Sequence, residues 1–146
     1  MHSDIDQAFP PRRRLGAQVL VRTRHGEVLM VKPRYMRDGT VHGWRLPGGD
    51  AHMDESVAAA ATRGLHEETG VRCRVTHALL IDQVPTNADG GVAEGVNVVV
   101  DGGTLSNEEA ASLTLPEGAR KDLYGLKWVA VHELEGHVFP RQSARI

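Results

Sequence analysis

Apolar and polar positions alternate along this chain in short runs separated by glycine, proline and asparagine clusters, a pattern of strands joined by turns with one helical interruption. Residues 15–22 (LGAQVLVR) predict a strand, Arg24-His25-Gly26 a tight turn, and residues 27–32 (EVLMVK) the returning strand of a hairpin. A polar loop from Pro33 to Gly43 leads into a short strand at Trp44–Leu46, which Pro47-Gly48-Gly49 ends. From about Glu55 to Thr69 the period changes: Val57, Ala58, Ala61 and Leu65 recur at three- and four-residue spacing and predict a helix. Asp54 is placed to cap its start and Gly70 to end it. Strands are expected within residues 71–84, over 95–101 (GVNVVVD) and over 126–131 (LKWVAV). Residues 102–122 are turn-rich and carry no clear period, and a short helix is expected to start at 132–135, with any closing helix very short or missing.

Composition narrows this picture. With 146 residues, 40% hydrophobic and 25% charged, the chain has the balance of one globular domain with a sizeable core. At 4% aromatic, that core must rest on Val, Leu, Ile and Ala. The expected organisation is a flexible tail over 1–13 and a single domain over 14–146. A formal charge of −2 gives no global attraction to a nucleic acid polymer or an anionic membrane. No apolar run approaches the roughly 20 residues a membrane helix needs. A lone cysteine, Cys73, forms no intramolecular disulfide, reads as a small packed residue, and fits a cytoplasmic location. The mixture of hairpins with an internal helix points to an α/β or α+β sandwich.

Chemistry concentrates in residues 44–71, WRLPGGDAHMDESVAAAATRGLHEETGV. On a helix, Arg63, Gly64, Glu67 and Glu68 share one side, so Arg63 can pair with Glu67 one turn on. Grouped carboxylate oxygens suit Mg²⁺ or Mn²⁺, and the Gly48-Gly49 turn lets backbone approach the helix, offering the Gly48 carbonyl as a further ligand. An Arg-x-x-x-Glu-Glu run alone is usually a solvated face; the glycine-rich entry at fixed spacing changes that assessment.

That segment resembles the Nudix box, G-x5-E-x7-R-E-U-x-E-E-x-G-U with U aliphatic. Gly49, Glu55, Arg63, Leu65, Glu67, Glu68, Gly70 and Val71 fall at the required spacings, eight of nine defined positions. The resemblance implies an α/β/α sandwich with a mixed sheet and the box helix packed on it. It implies metal-dependent hydrolysis of a diphosphate linkage in a nucleoside diphosphate derivative, with Mg²⁺ or Mn²⁺ neutralising phosphate charge. It makes Glu67 and Glu68 the metal ligands, joined by the Gly48 carbonyl, with Arg63 orienting them and Gly49, Glu55 and Gly70 shaping the loop and helix. Arg34 and Tyr35 in the preceding loop, with Trp44, are candidates to meet substrate, and a homodimer is common in proteins of this kind.

The ninth position is Gly64, where the family carries a glutamate that ligates metal or activates water. Three readings stand: a hydrolase with fewer metals or another base, a binding module that keeps its pocket without turnover, or a glycine introduced to trap a complex. Losing a general base costs about 10²- to 10⁴-fold. Replacement bases to consider are His52, His66, Asp89, Glu94, Glu108, Glu109, Glu117 and Asp122. The substrate itself is open among oxidised nucleotides, nucleotide sugars, ADP-ribose and dinucleoside polyphosphates.

Overall fold

The computed structural model describes residues 6–34, 43–86 and 93–134. Six strands form one mixed sheet: β1 (Arg14–Thr23), β2 (Glu27–Pro33), β3 (Gly48–Asp50), β4 (Ala78–Val84), β5 (Gly95–Leu105) and β6 (Leu123–Ala130). The order across the sheet is β4-β5-β1-β2-β6, with β3 paired to β1. Only β1 and β5 run parallel; the other pairs are antiparallel. The predicted hairpin is present, its turn closed by Gly26 at φ 79 donating to the Thr23 carbonyl. The arrangement is the α/β fold that the sequence predicts.

Alternation along β1, β2 and β5 divides the core between two faces. Ala17, Val19, Val21, Leu29, Val98 and Val100 face helix α1 (Val57–Thr69), meeting Ala60, Ala61 and Leu65. Val28, Met30, Leu46, Val99, Val129 and Leu134 pack on the other face. These strands are buried on both sides, which is why they read as nearly unbroken apolar runs.

Several expectations shift in detail. The helix begins at Val57, and Ser56 caps it by accepting from the Ala59 N–H at 3.1 Å. Asp54 instead sits in the preceding turn with φ 64. The buried face is Ala60, Ala61, Gly64, Leu65 and Thr69; Ala58 is exposed, because the stripe turns toward β3 at Gly64. Gly70 ends the helix at φ 77, its N–H donating to the His66 carbonyl, as expected of a left-handed cap. The strand expected within 71–84 starts only at Ala78, and Cys73 lies before it in irregular backbone. Within 102–122 there is a six-residue helix α2 (Asn107–Ser112) closed by a Ser106–Glu109 capping box. The short helix expected at 132–135 is a 3-10 turn over Val131–Glu133.

One feature of this sheet places the chemistry. β1 and β2 pair near their turn, at Arg22 and Val28, and residues 45–50 lie between their other ends. Arg45 bridges Val31 on the β2 side, Val19 donates to the Pro47 carbonyl on the β1 side, and β3 then follows β1 from Gln18 to Gly16. The expected strand at Trp44–Leu46 is this single bridge. The wedge carries Gly48 and Gly49 against the flank of α1.

Candidate functional site

Glycine is required twice where the wedge meets the helix. Gly48 has φ 154, and a Cβ there would stand 2.0 Å from the Ala17 carbonyl oxygen. On the helix, a Cβ at Gly64 would stand 2.5 Å from the Gly48 carbonyl carbon, 2.7 Å from the Gly49 nitrogen and 2.8 Å from the Gly48 oxygen. The backbone of the wedge therefore fills the space in which a side chain at position 64 would begin. Gly49 is looser, its added Cβ making ordinary contacts with Gly64 and Arg63.

Arg63 organises the loop before the helix. Its Nε and Nη2 donate to the two carboxylate oxygens of Glu55 at 2.9 Å each, and Nη2 also donates to the Asp50 carbonyl at 2.9 Å. Glu55 accepts a further bond from the His52 N–H at 3.0 Å. The Arg63 hydrogen bonds, followed by the one from His52, hold the Glu55 carboxyl down to about 2, and the same pairing raises Arg63. Arg63 also reaches Glu67 at 3.3 Å, the i,i+4 pair expected, although the Glu67 side chain stays 60% exposed.

Glu68 faces the wedge. Arg45 grips it bidentately, Nη1 to Oε1 at 3.2 Å and Nη2 to Oε2 at 2.8 Å, and the Gly48 N–H donates to Oε1 at 2.8 Å. The Glu68 side chain is 14% exposed and that of Arg45 26%. Arg45 is the residue missed by reasoning from sequence. Its only signal was its place beside Leu46-Pro47-Gly48.

Arg45 also lines a cleft of about 400 Å³ with Arg14, Gly16, Gln18, Gly48, Gly49, Asp50, Val84 and Asn97 among its walls. Gly16, Gln18 and Asn97 alternate with the core residues Ala17 and Val98 and border the cleft from the sheet face away from α1, while Ala17 also lines it. Arg14 Nη1 donates to Asn97 Oδ1 at 2.9 Å and Asp50 Oδ1 at 3.1 Å, tying β1, β3 and β5 together.

The other candidates lie elsewhere. Arg34 donates from Nε to the Arg120 carbonyl and stacks over Tyr124 at 4.8 Å, away from the cleft walls. Trp44 packs on the Val28–Met30–Leu46 core with Lys127 at 5.8 Å from its ring. Glu94 pairs with Arg13, and Glu109 is consumed by the α2 capping box. His52, Glu108, Glu117 and Asp122 are exposed, while His66 is half-buried. Burial, then the Asp101 charge, pushes the Cys73 thiol up, in keeping with a packed residue rather than a nucleophile. Tyr35 and Asp89 lie outside the described residues.

A divalent cation needs several oxygens converging on one point. Among the described residues no three His, Cys, Asp or Glu side chains gather in that way. Position 64 has no carboxylate and no room for one, both Glu68 oxygens already accept from Arg45, and Glu67 turns to Arg63. In this arrangement the residues do not fit a resident metal.

Comparison with known proteins agrees with the fold and the box. The NUDIX domain family matches residues 12–145. A MutT Nudix hydrolase from Burkholderia pseudomallei superposes with a TM-score of 0.68 at 22% identity, covering 92% of this chain and 95% of that one. The MutT protein from Methanosarcina mazei Go1 gives 0.65 at 24% identity, covering 88% and 84%. At these identities the likeness shows the fold. Among curated proteins, nucleoside diphosphate-linked moiety X motif 6 of Xenopus laevis is 37% identical over 59 residues, 40% of this chain and 26% of that protein, so the match spans about a quarter of the relative. Nudix hydrolases act on phosphoanhydride-type substrates and generally use divalent metal ions. With the family matched from before β1 to past the last strand, and the box helix set against its glycine turn, this chain belongs to the Nudix hydrolase family.

Proposed function

We propose that the chain takes up a nucleoside diphosphate derivative in the cleft beside Gly48–Asp50 and holds it without efficient hydrolysis of its phosphoanhydride bond. The observation that carries this reading is the contact at Gly64, where backbone occupies the place of the family's first box glutamate. The cleft, about 400 Å³, is within the range of small-molecule sites. Arg14 and Arg45 are among the residues that line it, and guanidinium forks suit phosphate oxygens. Val84 offers an apolar wall for the remainder of the ligand. The name of the Xenopus relative, a nucleoside diphosphate-linked moiety protein, supports the same ligand class. The single cysteine fits a reducing compartment, and among the described residues no helix is long and apolar enough to cross a membrane.

The test is a panel of ADP-ribose, nucleotide sugars, dinucleoside polyphosphates and oxidised nucleotides, with binding read by calorimetry and cleavage by chromatography in Mg²⁺ or Mn²⁺. The reading expects saturable binding of at least one compound. Its turnover should lie at least about 10²-fold below that of a relative carrying the full box. Metal-dependent turnover at the relative's rate, abolished by Glu68→Gln, would overturn it in favour of a working hydrolase. That second reading has one observation behind it: the exposed Glu67 carboxylate on its intact Arg63–Glu55 frame leaves one oxygen donor for Mg²⁺ or Mn²⁺ arriving with the substrate's phosphates.

A further inference from the structure

We infer that Arg45 stands in for the divalent cation at Glu68, so that the positive charge of this site is a fixed guanidinium. The ion pair shuts the carboxylate to metal in the absence of a ligand. This goes beyond the assignment of a ligand class, because it concerns what occupies the carboxylate before any ligand arrives.

Three features of the geometry converge. The pair is bidentate, with both oxygens engaged and a third donor from the Gly48 N–H, so most of the acceptor capacity of Glu68 is already used. It is largely withdrawn from water, where an arginine fork is held more firmly than on an exposed face. Arg45 cannot swing away freely either: its backbone exchanges both hydrogen bonds with Val31, and Nη1 donates to the Leu46 carbonyl at 3.0 Å. A cation bonded to a Glu68 oxygen from this side would have to displace the guanidinium or stand against its like charge.

Gly64 on one side of the wedge and the Arg45–Glu68 pair on the other fit one another. Glycine at 64 removes a carboxylate from the helix and lets the Gly48-Gly49 backbone close onto it. That closure brings the Gly48 N–H onto Glu68. With one box carboxylate gone and another neutralised by Arg45, the electrostatic need for Mg²⁺ at this corner is met from within the chain. Arg45 is also among the residues that line the cleft Arg14 borders, so its pairing with Glu68 lies at the edge of that cleft.

The probe is Mn²⁺ alone, titrated into the full chain and read as free Mn²⁺ by electron paramagnetic resonance, for the wild type, Arg45→Ala, Glu68→Gln and the double variant. The expected result is a wild-type dissociation constant in the millimolar range, unchanged within twofold by Glu68→Gln. Arg45→Ala should bind at least about fivefold more tightly, and Glu68→Gln in that background should remove the gain. Wild-type binding tighter than about 100 µM would overturn the inference whatever the variants do, so failure of a variant to fold leaves it decidable. Inorganic pyrophosphate binding is then measured in chelator. Binding that persists and weakens about tenfold in Arg45→Ala supports the inference, and binding that appears only with Mg²⁺ overturns it. Absence of pyrophosphate binding under both conditions counts against the proposed ligand class and leaves the Mn²⁺ result to stand or fall by itself.

Discussion

Gly64 on α1 lies so close to Gly48 on β3 that a Cβ added to the helix would stand 2.5 Å from the Gly48 carbonyl carbon. Alanine at 64 gains about 1 kcal/mol of helix propensity over glycine, whereas forcing an atom into a close-packed contact costs about 1–3 kcal/mol. The second effect wins because the obstruction is backbone, which cannot rotate aside. Gly64→Ala should therefore lower the denaturant midpoint despite the better helix former. Gly64→Glu should lower it further and leave hydrolysis unrestored unless the wedge moves. A rise in the midpoint for Gly64→Ala would show that the wedge yields easily.

Gly48 carries a stronger form of the same constraint. Its φ of 154 and the 2.0 Å approach of an added Cβ to the Ala17 oxygen leave no room for a side chain. Gly48→Ala should cost about 2 kcal/mol or more, read by urea unfolding. Gly49→Ala, with only ordinary contacts, should cost less than half as much.

Acid should loosen the loop that presents β3. Arg63 and the His52 N–H hold the folded Glu55 carboxyl at about 2, against an ordinary value of 4.5. Because the folded value is depressed, the stabilisation is fully present above about 4.5 and is lost as pH falls from there toward about 2. Glu55→Gln should flatten that part of the curve of urea midpoint against pH. A variant curve parallel to wild type between those values would contradict the assignment.

The two ends of the helix cap can be told apart by substitution. Ser56→Ala removes the acceptor for the Ala59 N–H and should cost about 1 kcal/mol. Asp54→Gly relieves a positive φ on a non-glycine residue and should be neutral or slightly stabilising. Thermal melts of the two variants should move in opposite directions or leave Asp54→Gly unmoved. A larger loss at Asp54 would return the capping role to it.

How much of this was legible in the sequence follows from the range of each interaction. The box helix, its glycine cap, the Arg63–Glu67 pair and the first hairpin rest on neighbours within a turn or two, and their spacing shows directly. The α2 capping box at Ser106 and Glu109 is equally local, but a six-residue helix offers too few apolar positions to stand out among turn residues. The Arg45–Glu68 pair spans 23 positions and exists only because residues 45–50 enter between β1 and β2. Arg14 and Asn97 meet across 83 positions because β1 and β5 are parallel neighbours. The meaning of Gly64 was half visible: the missing carboxylate is a matter of sequence, while the backbone that fills its place is a matter of packing.

The central claim is that the cleft binds its nucleotide and leaves the phosphoanhydride intact. Its most direct test is a single-turnover measurement, with protein in excess over the best-bound compound of the panel, in saturating Mg²⁺, followed by phosphorus NMR. The account predicts resonances shifted by binding yet unchanged in number over hours, with the same ligand recovered on denaturing the protein. Conversion of the bound compound to monophosphate products within seconds to minutes would contradict it and make this chain a working hydrolase despite the glycine at 64.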